Sequence, residues 1–162
     1  MKIGATARGL FALYSTTVLL SVGQGMIAVT ILVLDEEFGV SAGVAAQVVT
    51  GFAIGALVGQ PLGGILVDRL GTRIAIVSGP IVIGCANLLA IASPWFGVLL
   101  VAMFIAGLGN SIWMLGREMA GVDLVGPHQR GRVMSGFMGM STTGMALGPF
   151  IGGVVIEAFG LN

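Results

Sequence analysis

The chain has very few charged residues, which argues against a soluble globular fold. Only 9% of its 162 residues are charged, whereas a soluble domain carries about 25%. Hydrophobic residues make up 56% of the chain. Because an α-helix satisfies its own backbone hydrogen bonds in lipid, this composition predicts an all-α integral membrane protein.

Residues that support catalysis or metal binding are also scarce. The chain has one cysteine, Cys85, which permits no internal disulfide, and one histidine, His128, which stands alone in a polar stretch. The sequence contains no nucleophile–base pair, metal-ligand cluster or phosphate-binding loop. We therefore expect no catalytic residue, no metal site, no cofactor and no enzymatic activity, and we expect no nucleic-acid partner.

Five uncharged runs are each long enough to cross a bilayer, which takes roughly 20 residues as a helix. Breaker residues separate them at Gly39, Gly71, Ser93-Pro94 and Gly126-Pro127. We predict one transmembrane domain over 1–162 with helices at about 9–34, 40–67, 74–92, 95–115 and 133–156.

The charges that remain are segregated between the two sides of the predicted bundle. With a cytoplasmic N-terminus every base falls on the inner side, as the positive-inside rule requires. The acidic triplet Asp35–Glu37 then falls outside. The bases are Lys2, Arg8, Arg69, Arg73, Arg117, Arg130 and Arg132. We predict a multi-pass protein of the plasma (inner) membrane with its N-terminus in the cytoplasm, and we read 117–132 as the longest inner loop.

A glycine-rich stretch occurs twice in the chain. Gly144 follows Gly55 by 89 residues, and Gly160 follows Gly71 by the same 89. Glycines four apart share one helix face, and such a face lets another helix backbone approach closely. The first copy ends in bases and the second does not, so the copies end on opposite sides of the membrane. We predict inverted three-helix repeats, one over about 9–92 and an incomplete one over about 95–162.

The end of the first copy resembles a loop signature of the major facilitator superfamily. That signature is a glycine, three residues, Asp-Arg, any residue, a glycine and two bases; here Thr72 replaces the first of the two bases. The matching residues are Gly64, Asp68, Arg69, Gly71 and Arg73, which we call the loop motif. The resemblance implies a major-facilitator-type helical bundle of which this chain is an incomplete N-terminal half, and it implies that Asp68 helps to latch the two halves together. A simple topological anchor is the alternative.

The second copy resembles the glycine–proline motif of exporters and antiporters in that superfamily. Its residues are Gly144, Gly148, Pro149, Gly152 and Gly153, which we call the glycine–proline motif. Ser135 stands where the motif has an earlier glycine, and Gly136 follows it. Pro149 should bend its helix. We expect an exposed glycine-rich interface for the missing half; tight packing without motion is the alternative.

Polar residues in the apolar runs are candidates for lining a substrate cavity. Gln24, Asn110 and Trp113 are the three we select. Polar neighbours that face each other inside the bundle are an equally good interpretation of the two amides. Trp113, like Trp95, also fits a belt at the membrane interface. Met103 stands where many exporters of the family carry an arginine, so this half does not itself support proton antiport.

The function implied is the N-terminal portion of a secondary active transporter that exports a small molecule by alternating access. Its expected partners are an unidentified small-molecule substrate, the lipid bilayer, and the missing C-terminal half or another copy of the chain. Gly160-Leu161-Asn162 would then lie just before a sixth helix. The alternative is a small membrane protein that oligomerises or acts as a non-transporting scaffold.

Overall fold

The computed structural model describes residues 2–38, 41–92 and 95–159. The predicted breaks at Gly39, at Ser93-Pro94 and after residue 159 lie outside these ranges. The described residues form five α-helices joined in part by a short 3-10 turn, and they contain no strand. The helices are α1 (Lys2–Phe38), α2 (Ala42–Leu70), α3 (Thr72–Ala92), α4 (Phe96–Asp123) and α5 (Arg130–Phe159), and the 3-10 turn is Pro127–Gln129. The predicted all-α fold is confirmed.

Three helical stretches among the described residues are long and apolar enough to cross a membrane. They are Ala46–Leu70 within α2, Thr72–Ala92, which is α3, and Phe96–Asp123, which is α4. These stretches make the chain an integral membrane protein. The spans predicted within α1 and α5 stay predictions.

Helix α4 runs further than the sequence suggested. It continues through Asp123 instead of ending near residue 115, so Arg117 and Glu118 are helical and do not begin the inner loop. Arg117 is only 3% exposed, and its Nη2 lies 4.0 Å from Glu118 Oε1. The helix continues because the Arg117 guanidinium packs on the ring of Trp113 in the same helix and does not turn outward to the surface.

The chain divides into two compact units, which differ from the two predicted repeats. The α2–α4 unit comprises Asp35–Ala120, and the α1–α5 unit comprises Met1–Leu34 with Gly121–Asn162. Each unit therefore combines helices that the repeats assign to different copies. The organisation as one transmembrane domain stays a prediction.

Small residues fill the α2–α4 unit where its helices meet. Gly79 of α3 and Gly109 of α4 are buried at one crossing, and a Cβ built on Gly109 would lie 2.9 Å from the Gly79 carbonyl oxygen. Ala75 is fully buried, and its Cβ would lie 2.8 Å from a Cβ built on Gly116. Close approach of this kind maximises van der Waals contact, which is a main source of helix association in lipid.

The α1–α5 unit contains aromatic and hydroxyl side chains between its two helices. Phe137 of α5 is 1% exposed, and its ring centroid lies 4.9 Å from that of Tyr14 at an interplanar angle of 54°. Thr17 is fully buried and donates to the Leu13 carbonyl at 2.7 Å. Ser21 is 1% exposed, and its Oγ lies 3.0 Å from Ser141 Oγ. Each buried hydroxyl thus has a partner, as an apolar environment requires.

The turn between α2 and α3 depends on one glycine. Gly71 has φ 87° and ψ 160°, a region of backbone space that is essentially open to glycine alone. Its N–H donates to the Val67 carbonyl at 2.9 Å and so closes the end of α2. Because α3 begins at Thr72, this single residue reverses the chain between the two helices.

A Gly71→Ala substitution should destabilise the chain by about 1–3 kcal/mol, the usual cost of a side chain forced into such a conformation. Gly84→Ala in α3 is the matched control, since a Cβ at that position would meet no atom within 4 Å. The control should be neutral or stabilising. Unfolding in detergent micelles, followed by circular dichroism, measures both. Equal stability of the two variants would contradict the assigned role of Gly71.

Candidate functional site

The charged residues of the loop motif lie around the Gly71 turn. Asp68 and Arg69 are in the last turn of α2, and Arg73 is in the first turn of α3. All three side chains are exposed. Gly64 is half-buried, and a Cβ there would lie 3.9 Å from a Leu115 side-chain carbon. The motif therefore presents an acid and two bases at one end of a helical hairpin.

Two of these charges oppose the helix dipoles next to them. Asp68 stands near the negative C-terminal end of α2, and Arg73 stands near the positive N-terminal end of α3. Each such placement is unfavourable by about 0.3–1 kcal/mol at an exposed site. Only Arg69 complements its helix end. Local helix stability therefore does not explain the pattern of charges.

The glycine face of α2 packs directly on α4. A Cβ at Gly55 would overlap the Phe104 carbonyl, and a Cβ at Gly59 would lie 2.9 Å from the Leu108 carbonyl oxygen. Gly63 continues the contact, 3.2 Å from Ile112 Cα on the same measure. The three glycines are buried. They let carbonyl groups of α4 approach where any side chain would hold the helices apart.

A hydrogen bond joins the same two helices. Ser111 of α4 is 6% exposed, and its Oγ donates to the Ala56 carbonyl of α2 at 2.6 Å. Such a bond between membrane helices contributes about 0.6 kcal/mol on average. It fixes the register of α2 against α4 that the glycine contacts allow.

The glycine–proline motif gives α5 an equivalent contact with α1. A Cβ at Gly144 would lie 2.9 Å from the Val18 carbonyl oxygen, and a Cβ at Gly148 would lie 2.7 Å from that of Val22. Gly152 is buried on the same face, whereas Pro149 and Gly153 are exposed. A Cβ at Gly153 would meet no atom within 4 Å. The motif thus has an inward face of three glycines and an outward face.

The two contacts share one register. Gly55 approaches the Phe104 carbonyl as Gly144 approaches that of Val18, and Gly59 approaches the Leu108 carbonyl as Gly148 approaches that of Val22. The glycines differ by 89 positions and the carbonyls by 86 in both pairs. The sequence repeat is therefore also a repeat of backbone contacts, made separately within each unit.

The expected exposed glycine-rich interface is wrong for these residues. Gly55, Gly59, Gly63, Gly144 and Gly148 are all buried within their own units. The sequence identified faces that accept another backbone, but helices of the same chain supply that backbone. At Gly153 of the glycine–proline motif, a Cβ would meet no atom within 4 Å.

Gly136, one residue after the position expected for the earlier glycine of the motif, lies against Tyr14 of α1. It precedes Gly144 by eight residues, so both lie on the same face of α5. A Cβ at Gly136 would lie 2.6 Å from Tyr14 Oη, and the Tyr14 hydroxyl donates to the Val133 carbonyl at 3.4 Å. Ser135 is exposed. The displaced glycine therefore accommodates the only tyrosine of the chain.

Trp113 does not belong to an interfacial belt. It is 2% exposed, and it lies against Gly79, where a Cβ would be 2.7 Å from the Trp113 backbone nitrogen. The belt prediction was wrong because it rested only on the position of Trp113 near the end of its helix. The sequence does not reveal that Gly79 lets α3 pack over this side chain. Trp95, at 74% exposure, stays compatible with the belt.

The other candidate cavity residues lie in different units. Gln24 is half-buried in the α1–α5 unit, and Asn110 is half-buried in the α2–α4 unit, one turn before Trp113. The role of these residues in lining a cavity stays a prediction.

Arg117 is a buried charge that the sequence pattern had placed in the predicted inner loop. Its Cζ lies 4.5 Å from the centre of the Trp113 ring, within the range in which a cation is attracted to an aromatic face. Trp113 and Arg117 are four residues apart, a spacing that makes side chains neighbours on a helix. This spacing was visible in the sequence, and it would have predicted that α4 continues past residue 115.

These features together define a class of protein: an α-helical membrane bundle built from a repeated glycine contact, with a charged turn between its second and third helices. The chain belongs to the major facilitator superfamily, whose family model matches residues 13–162. That superfamily consists of transporters.

Two relatives illustrate the range of the match. The quinolone resistance protein NorA of Staphylococcus aureus strain Mu50 is 26% identical over 148 residues, which cover 91% of this chain and 38% of NorA. The facilitated glucose transporter member 10 of solute carrier family 2 from Xenopus tropicalis is 30% identical over 127 residues, which cover 78% of this chain and 22% of the relative. The chain thus matches well under half the length of each relative.

Gly148→Leu should destabilise the α1–α5 unit by about 1–3 kcal/mol or more, as overpacking does, because its side chain would meet the backbone of α1. Gly153→Leu, five residues on in the same helix, is the control and should change stability by less than about 0.5 kcal/mol. Reversible unfolding in mixed micelles measures the difference. Similar losses in both variants would show that the α1 contact is not what Gly148 provides.

The two tryptophans should differ sharply when each is replaced by alanine. Trp113→Ala removes a buried indole and should cost about 3–5 kcal/mol. Trp95→Ala removes an exposed ring and should cost much less. The same unfolding measurement compares them. A larger loss from Trp95→Ala would contradict the burial of Trp113.

Proposed function

We propose that this chain is the N-terminal portion of a secondary active transporter that exports a small molecule by alternating access. The observation that carries the proposal is the loop motif at the α2–α3 turn. Its acid and two bases are exposed, two of them oppose the adjacent helix dipoles, and Gly71 holds a conformation that other residues avoid. Charges kept at such a cost suit a contact with another part of the transporter.

In this proposal Asp68 is the latch residue. Its exposed carboxylate accepts hydrogen bonds or pairs with a base of the partner surface when the cytoplasmic side is closed, and it loses that contact when this side opens. The partner surface belongs to a C-terminal half or to another copy of the chain. Arg69 and Arg73 flank the contact and orient it through their own charges.

The glycine contacts supply the rigidity that alternating access requires. Transporters of this type move largely as rigid bundles around a site near the middle of the membrane. The backbone contacts of α2 with α4 and of α5 with α1 keep the helices of each pair together during such a movement. Gln24, Asn110 and Trp113 stay candidates for lining a substrate cavity, each within its own unit, and Trp113 lies one turn after Asn110 on α4.

The direction of transport is inferred from one relative. The name of the NorA protein describes it as a quinolone resistance protein, and resistance through a transporter is a consequence of export. The glycine–proline motif, which resembles that of exporters and antiporters, agrees with this direction. We leave the substrate as a small molecule of unassigned class.

We assign this activity to the plasma (inner) membrane, with the N-terminus in the cytoplasm. Arg8, Arg69, Arg73, Arg130 and Arg132 are all exposed. The positive-inside rule puts the ends of the helices that carry these bases on the cytoplasmic side. The loop motif then faces the cytoplasm, where a latch would close the inner entrance.

Asp68→Asn in the full-length protein tests the latch. The amide keeps the size of the side chain but removes its charge, so export should slow at least about tenfold, which corresponds to about 1.4 kcal/mol. Asp123→Asn is the matched control, because Asp123 is also an exposed acid at the end of a membrane helix. Efflux of a fluorescent substrate is measured at equal membrane expression.

An export rate unchanged by Asp68→Asn would leave Asp68 as a topological anchor. Equal slowing by both substitutions would point to a general loss of surface charge. Loss of Asp68→Asn protein from the membrane would mean that the residue acts in insertion instead of in the transport cycle.

A further inference from the structure

Pro149 leaves one backbone acceptor of α5 without its helical donor. A proline has no N–H, so the carbonyl four residues before it loses its hydrogen bond. In α5 that carbonyl belongs to Met145. An acceptor of this kind is costly in lipid unless a neighbouring helix satisfies it. A group of a neighbouring helix should therefore lie against the Met145 oxygen.

The Met145 carbonyl oxygen lies against Gly25 of α1. A Cβ built on Gly25 would collide with this oxygen and would lie 2.9 Å from Gly148 Cα. Since a Cβ takes the place of one of the two Cα hydrogens of glycine, that hydrogen is directed at the Met145 oxygen. Weak Cα–H···O hydrogen bonds of this kind recur at helix–helix interfaces. Gly25 is itself buried.

We propose that Gly25 is a positioning residue for α5, because its Cα receives the carbonyl that Pro149 releases and so sets where the proline-containing turn rests on α1. Gly148 and Gly25 meet backbone to backbone beside this carbonyl, with a Cβ at Gly148 only 2.5 Å from Gly25 Cα. The glycine–proline motif thus has a complementary residue on α1. The Met145 carbonyl and Gly25 are therefore in direct contact.

The neighbouring residue Gly23 provides a control within the same turn of α1. It is exposed, and a Cβ there would meet no atom within 4 Å. Gly23→Ala and Gly25→Ala therefore make the same chemical change to α1. Only the second puts a methyl group against the Met145 oxygen.

The bearing of this contact on transport rests on the proposed function, but the contact itself does not, so the experiment reads the contact in the chain alone. Methionine labelled with ¹³C at the carbonyl and alanine labelled with ¹⁵N mark only Met-Ala peptide bonds. The sequence has two, Met119-Ala120 and Met145-Ala146. A Met119→Leu background, a volume-conserving change, leaves the bond at Met145 as the only labelled one.

The carbonyl resonance of Met145 is then measured in lipid bilayers. Gly25→Ala should shift it by more than the linewidth, and Gly23→Ala should leave it in place. Pro149→Ala restores the N–H and should move the resonance in the direction of stronger hydrogen bonding. In the Pro149→Ala background, Gly25→Ala should shift it by less than half as much, because the effects of coupled sites are not additive.

Two outcomes would overturn the proposal. One is an equal response to Gly23→Ala and Gly25→Ala. The other is a response to Gly25→Ala that is the same with and without Pro149, which would make Gly25 a packing residue with no connection to the released carbonyl. If Gly25→Ala does not fold, Pro149→Ala tests the proposal instead. A Met145 resonance unchanged by Pro149→Ala would show that this carbonyl does not lack a hydrogen-bond donor in the native chain. Neither outcome bears on whether the full-length protein transports.

Discussion

Direct contact between helix backbones is the constraint on which the rest of this structure depends. In lipid the apolar side chains gain little by leaving their surroundings, so helices associate through close van der Waals contact and hydrogen bonds. The buried glycines of α2 and α5 provide that contact because they have no side chain. Carbonyl groups of α4 therefore lie directly against α2, and carbonyl groups of α1 lie directly against α5. Ser111 and Ser21 each add a hydrogen bond across one of the two contacts. The same solution appears twice because the sequence that encodes it appears twice.

The structure separates this packing function from the charged surface. The glycine contacts are buried, while Asp68, Arg69 and Arg73 are exposed around a turn that only glycine can make without strain. The glycine–proline motif shows the same separation on one helix: Gly144 and Gly148 pack on α1, and Pro149 faces outward. A protein that changes conformation needs both properties, since helix pairs must stay together while other contacts form and break.

The fold class could be predicted from composition and from the length of the uncharged runs, because runs long enough to cross a bilayer as helices satisfy their own backbones in lipid. Glycine spacing also predicted which faces of α2 and α5 accept a backbone. It could not say which helix supplies that backbone, since spacing carries no information about the partner; hence the glycines expected at an exposed interface are buried. Trp113 was misplaced because α3 covers it, and Arg117 was misplaced for a separate reason. A charge near a helix end normally marks a loop, but an aromatic ring four residues away lets the helix retain it.

The central claim is that each glycine face packs on a helix of the other repeat, α2 on α4 and α5 on α1. Disulfide cross-linking in native membranes tests the α5–α1 contact most directly, in a Cys85→Ser background with cysteines at 21 and 141. This pair should cross-link rapidly, because the two serine side chains are joined by a hydrogen bond. A control pair at 19 and 141 should not, because Leu19 is 73% exposed. Equal cross-linking of the test and control pairs, or none in the test pair, would contradict the claim.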